Sequence, residues 1–204
     1  MRNSYLLEGN FNGTPGMTRI FAAFLMALLL SGCAAAVVGG AAVVGTDRRT
    51  PGTVLDDQVL EVQVIDRIYS APEFAGGDSV KVEVYQGVAL LVGEVTTDAK
   101  RELAGRRAAE VQHISRVVNE LAVGQSVDLG TRLGNTWLTT KVNTALLRHN
   151  PVPGFDATRI KVVTSQSQVY LMGLVSREEG DAVAEVARNV GGVEKVVKVF
   201  SYRD

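Results

Sequence analysis

A single cysteine, Cys33, stands among 204 residues, so no intramolecular disulfide can form and the cross-linked scaffold of many small secreted proteins is excluded. Histidine is almost as scarce. His113 and His149 are the only two, neither at metal-ligand spacing with Cys, Asp or the other His, and each is expected as a solvated residue at a helix C-terminus, where the dipole favours it. The serines include no Gly-x-Ser-x-Gly elbow, and the Gly-rich run 38–45 is not followed by a Lys-Ser/Thr pair. Glu178-Glu179 reads as the acidic first turn of a helix, not as a paired general acid and base. The expectation is a chain that is no enzyme, with no catalytic residue, no metal and no cofactor. An excess of charge is missing too: 21 Lys and Arg against 22 Asp and Glu give a net −1, which argues against a nucleic-acid partner.

What is present begins with one apolar run. Met17-Thr18-Arg19 supplies a basic start, Ile20 to Leu30 is strongly apolar, and Ser31-Gly32 places two small residues directly before Cys33. That is the order of a secretory signal peptide. The uncharged stretch from 20 to 45 is long enough to span a bilayer, yet Gly32, Gly39, Gly40 and Gly45 interrupt it and its most apolar part stops at the cysteine. Leu30-Ser31-Gly32-Cys33 resembles the lipobox of bacterial lipoproteins, which implies cleavage before Cys33 and lipid attachment to its sulfur. Ala34 is not the Asp that marks inner-membrane retention in lipoproteins of enteric-type bacteria, so the resemblance implies the inner leaflet of the outer membrane, facing the periplasm. Residues 1–32 are then extension and signal peptide, and 33–55 a lipidated cysteine with a flexible tether.

The mature part contains an internal repeat. Val80-Lys-Val82-Glu-Val84 falls on Ile160-Lys-Val162-Val-Thr164 at an offset of 80, as does Leu91-Val92-Gly93-Glu94-Val95 on Leu171-Met172-Gly173-Leu174-Val175. Ile114, Val117 and Val118 meet Val193, Val196 and Val197 at an offset of 79. Each copy predicts the same elements. A helix over 56–70 recurs over 135–149, where Asn135 or Thr136 can cap it and Leu138, Val142, Ala145 and Leu146 form one stripe. A strand pair follows, turning at Gln86-Gly87 in one copy and at Ser165-Gln166-Ser167 in the other. A second helix over 98–113 or 178–190 leads to a last strand over 117–123 or 196–202. The fold class is thus α+β: two αββαβ modules at 56–123 and 135–204, each a three-stranded mixed sheet packed against two helices, joined by a connector at 124–134. Gly93 and Gly173 share one strand position and are expected to mark a bulge or a close helix-on-sheet approach.

The segments Val88-Ala-Leu-Leu-Val-Gly93-Glu-Val95 and Ile114-Ser-Arg-Val117-Val118-Asn119 resemble the signature of the BON domain. With the lipobox and tether, the two modules resemble the dual BON-domain outer-membrane lipoproteins over residues 33–204. The second copy departs at Lys198, where the first has Asn119, and at Gln168, where the first has Val88. The resemblance implies phospholipid binding through the second module and a role in outer-membrane integrity, including at the division site.

The residues themselves separate the copies by charge. Seven bases and twelve acids in 56–123 give −5, whereas nine bases and seven acids in 133–204 give +2, so only the second copy tolerates an anionic surface. On its first helix Trp137, the sole tryptophan, lies off the core stripe, with Lys141, Thr144 and Arg148 around it and Thr140 and Leu147 flanking. Tryptophan favours the membrane interface, and a base near anionic lipid contributes about 1 kcal/mol. Trp137, Thr140, Lys141, Thr144, Leu147 and Arg148 are therefore the expected phospholipid-binding residues, with an anionic phospholipid membrane as partner. Two competing readings pack Trp137 on the connector or first module, or make the acidic first module a docking site for an envelope protein partner.

Overall fold

The computed structural model describes residues 49–74, 76–125, 128–149 and 152–203. Cys33, the signal segment and most of the tether lie outside the described residues. The first helix, α1 (Pro51–Tyr69), starts five residues ahead of the expected 56, because Pro51 is pre-set for a helical first turn and the Thr50 hydroxyl accepts the Thr53 N–H at 3.1 Å. Leu60, Val64 and Ile68, spaced by four, are its buried stripe. One turn of 3₁₀ helix (Pro72–Phe74) leads to β1 (Ser79–Tyr85) and β2 (Val88–Val95), an antiparallel pair. Gln86 and Gly87 turn between them with φ of 49° and 70°, the left-handed pair a two-residue hairpin needs. Asp57, buried on α1, accepts the backbone N–H of both turn residues, at 2.8 and 3.0 Å, and pairs with Arg49 at 2.8 Å. One carboxylate thereby locks the turn to the helix.

Thr97 caps α2 (Asp98–Ala109), which crosses over to β3 (Arg116–Val123), parallel to β2. α2 stops before the expected 113: His113 sits beyond the helix in a turn with φ 70°, not at the helix end. The side chain of Asn119 on β3 donates to the Arg101 carbonyl at 2.7 Å, tying strand to crossover helix. Lys198, which replaces it in the second copy, instead pairs with Asp181 at 2.5 Å.

The second copy repeats the order with α3 (Leu129–His149), a 3₁₀ turn (Ala157–Arg159), β4 (Lys161–Ser165), β5 (Gln168–Val175), α4 (Arg177–Arg188) and β6 (Lys195–Tyr202). Its hairpin turns at Gln166 and Ser167, with φ of 48° and 60°, while Ser165 remains in the strand. The expected cap at Asn135 or Thr136 is wrong. α3 begins six residues earlier because the Asp128 carboxylate accepts the Thr131 N–H at 2.8 Å, and Thr136 lies mid-helix, donating to the Arg132 carbonyl at 3.1 Å. Part of the expected connector is therefore helix.

Each module buries its own core between sheet and helices. The first uses Leu60, Val64, Ile68, Val84, Leu91, Ala104 and Leu121, the second Leu138, Val142, Leu146, Leu171, Val183, Ala187 and Phe200. A third core lies between the two sheets, where Tyr85, Val88, Leu90 and Val92 meet Val163, Tyr170, Met172 and Val199. The layers thus run helices, sheet, sheet, helices, with α1 and α3 in opposite outer layers. Polar links border this seam: Gln166 donates to the buried Glu94 at 2.9 Å, Lys161 reaches Glu61 at 2.9 Å and also pairs with Glu83, and Arg116 donates to the Phe200 carbonyl at 3.2 Å. Burial there, with the charge of Glu120 beside it, pushes the Tyr170 hydroxyl up to about 12.

Gly93 and Gly173 are crowded in different ways, neither by an α-helix packing on the sheet. A Cβ on Gly93, whose φ is 115°, would lie 2.0 Å from the Ser79 carbonyl oxygen, and one on Gly173 would lie 3.0 Å from that of Arg159. Ser79 is the first residue of β1 and crowds Gly93 through strand register, whereas Arg159 ends the 3₁₀ turn before β4, and Gly173 also faces the Ile160 side chain.

Two outcomes follow from these contacts. Gly93→Ala destabilises the fold by about 2–4 kcal/mol, since backbone strain adds to a clash that no side-chain movement relieves; a urea melt of the variant against wild type measures it. Burial opposes ionisation of Glu83, but hydrogen bonds and charge from Lys161 and Lys81 outweigh it and hold its carboxyl below the ordinary 4.5. A depressed folded value means that this contribution is complete above the unfolded value and is lost as pH falls through the folded one. Between about pH 6 and pH 3 wild type therefore loses more stability than Glu83→Gln does.

Candidate functional site

α3 turns Leu138, Val142 and Leu146 toward its sheet, and helical geometry then sends Leu133, Trp137, Thr140 and Thr144 the opposite way. Trp137 is 66% exposed, Leu133 61% and Leu147 64%. The indole is therefore not packed on the connector or the first module. Three large apolar side chains thus stand in water on one helix face.

All six expected residues lie on this outer side. Trp137, Thr140, Lys141, Thr144 and Arg148 line one open depression of about 360 Å³, together with Ala145, His149 and Val190. Leu147 stands exposed beside it. The threonine hydroxyls are committed inward, Thr140 donating to the Thr136 carbonyl at 3.0 Å and Thr144 to that of Thr140 at 2.8 Å. They accept, but have no proton left to donate outward. Lys141 donates through Nζ to the Gly191 carbonyl, which moors its charge against the turn after α4. Arg148 is exposed and makes no ion pair among the described residues. No Asp or Glu occurs anywhere in 129–149, so the cationic character of the face is not offset along the helix.

Leu133 was not among the expected residues. It lies one turn before Trp137 on the same stripe, but a helix started at 135 excludes it; the signal that could have included it is Asp128 as an N-cap three residues before Thr131. His149 ends α3 as expected. A larger depression of about 420 Å³ runs along β1, β4 and the other flank of α3, lined by Ser79, Lys81, Glu94, Thr139 and Thr164 among others. Its Lys81 is already paired with Glu83 at 2.9 Å and its Thr139 donates to the Thr164 hydroxyl at 2.8 Å. Among the described residues no group of three His, Cys, Asp or Glu side chains could hold a metal ion, and no helix is long and apolar enough to cross a membrane.

Comparison with known proteins agrees with this duplicated architecture. The outer membrane lipoprotein DolP of Haemophilus influenzae is 35% identical over 180 residues, which cover 87% of this chain and 92% of that protein. The 21 kDa hemolysin of Actinobacillus pleuropneumoniae is 36% identical over 156 residues, covering 76% and 79%. Osmotically-inducible protein Y of Escherichia coli is 27% identical over 148 residues, covering 71% and 72%. The BON domain matches twice, at 56–125 and 134–204, each match spanning one sheet, its crossover helix and most of its first helix, and the chain belongs to the BON-domain family as a dual-BON protein similar to DolP.

Proposed function

We propose that this chain is a lipoprotein of the outer membrane, held in the inner leaflet by acyl chains on Cys33, whose second BON module binds anionic phospholipid from the periplasmic side through the outer face of α3. The observation that carries the reading is Trp137, two-thirds exposed between Lys141 and Arg148 on a helix without acids. An indole is amphipathic and settles at the level of the head groups, where Leu133 and Leu147 add apolar area on the same side. Arg148, free of ion pairs among the described residues, has donors to offer a phosphate. Lys141 reaches the same layer from its anchorage on Gly191.

Tether and face act together. Each buried CH₂ contributes about 0.8 kcal/mol, so two or three acyl chains hold the protein at the surface, where a weak face meets its ligand at high effective concentration. The similarity to DolP, an outer membrane lipoprotein, supports the anchoring and a role in the envelope. Support of envelope integrity, including at the division site, is the larger role we assign.

Trp137→Glu should abolish co-sedimentation with phosphatidylglycerol liposomes, because a carboxylate replaces the indole among the head groups; retention of wild-type binding removes the reading. Arg148→Ala should weaken the same binding by about fivefold, the equivalent of ~1 kcal/mol for one base near an anionic surface. In cells, Cys33→Ser should move the protein from the membrane pellet to the soluble fraction, and mass spectrometry of the wild-type protein should find a lipidated N-terminal cysteine.

A further inference from the structure

The duplication aligns α1 on α3 at an offset of 78, since the buried stripes coincide: Leu60, Val64 and Ile68 correspond to Leu138, Val142 and Leu146. Carried to the outer side, the same offset places Leu55 on Leu133, Val59 on Trp137 and Tyr69 on Leu147. The first member of each pair is exposed as well, by 62%, 54% and 39%. With Val62, 67% exposed, Leu55 and Val59 make α1 a second exposed apolar stripe, at whose end Tyr69 is partly held by Phe74 and the Val80 N–H.

Charge divides the two faces. Asp56 and Asp66 border the α1 stripe, neither in an ion pair among the described residues, while Arg67 is occupied by Glu110. The α3 stripe is bordered by Lys141 and Arg148, and 129–149 contain no acid; Glu185 of the neighbouring α4 is paired with Arg188. An anionic bilayer suits α3 and is repelled by α1. Among the described surfaces, the one that complements α1 in length, in apolar character and in sign is α3 itself. Within one chain the two cannot meet, because they occupy opposite outer layers of the sheet sandwich.

We propose that the outer face of α1 docks on the outer face of α3 of a second copy of this chain. The contact is heterologous, and because the two faces point away from each other, a pair of copies cannot satisfy both at once. Copies therefore add head to tail. A copy that meets lipid through α3 still offers α1, so one bound to the membrane recruits the next and the bilayer takes the place of the terminal partner. The proposal shares the α3 face with the lipid reading, and its test contains no lipid, so the failure of either leaves the other standing.

The test is sedimentation velocity on residues 44–204, which form one compact unit with its own cores. Wild type should grow from monomer to larger species with concentration, and shrink back at about 0.5 M salt, where charges are screened beyond a few ångströms. Asp56→Lys with Asp66→Lys in one chain, and Arg148→Glu in another, should each remain monomeric. Mixed in equal amounts, the two should associate to a dimer or beyond, because the intact α1 of the second docks on the intact α3 of the first and the two reversed faces now carry opposite charge to each other. Val59→Ser should weaken assembly as well, and thermal melts matching wild type show that each variant is folded. A wild type that stays monomeric at every concentration overturns the proposal and leaves the α1 stripe to a different protein; equal assembly by wild type and the charge variants, or no dimer in the mixture, overturns it too.

Discussion

The face-to-face packing of the two sheets is the constraint on which the other features depend. β2 and β5 are central strands with helices on one side and the opposite sheet on the other, so both of their faces must be apolar. That is why they read as nearly unbroken runs, Val88 to Val92 and Val169 to Met172, instead of alternating with polar residues. A module of about 70 residues buries too little by itself to be comfortably stable. The shared third core relieves that limit. Each side chain such as Leu90 or Met172, fully buried there, contributes about 1.5–3 kcal/mol that neither half could obtain alone.

The same packing assigns the outer surfaces. Once the inner faces of both sheets are consumed by each other, only the helices face outward, and they do so in opposite layers. Asp57 illustrates how tightly the modules are specified even at their ends: one buried carboxylate satisfies two turn N–H groups and an arginine, so helix, hairpin turn and Arg49 are tied together by a single side chain. Its counterpart at the 78-residue offset is Asn135, which is neutral, and the second module instead places its charge farther along the helix at Lys141 and Arg148. The copies have kept their cores and exchanged the sign of their surfaces.

Duplication of this kind separates stability from recognition. The positions that repeat, such as Leu91 and Leu171, Gly93 and Gly173, or Val117 and Val196, are those where packing or backbone approach leaves no choice. Those that diverge, Val59 and Trp137 or Asp66 and Thr144, stand in water where the fold makes no demand. A difference on the exposed face is thus free to express what each module meets, while a difference in the core would be removed by the cost of a cavity.

By itself the sequence determined the unit, its duplication and the cationic aromatic face. Alternation in Val80-Lys-Val82-Glu-Val84, the turn at Gln86-Gly87 and the stripe on 138–146 are local consequences of strand and helix periodicity, and the place of Trp137 off the core stripe follows from counting 100° per residue, while its exposure was decided by where the connector and first module lie. Helix starts were not legible in the same way, because a cap is a single hydrogen bond: Asp128 and Asn135 are both chemically suitable, and only the path of the chain shows that the first accepts the Thr131 N–H. Nor could a glycine disclose which neighbour crowds it, since Ser79 lies fourteen residues from Gly93 and reaches it through strand register. Tertiary structure alone decided that the modules join sheet to sheet, and therefore that their outer helices face opposite ways, because that outcome depends on which surfaces remain apolar after each half has folded.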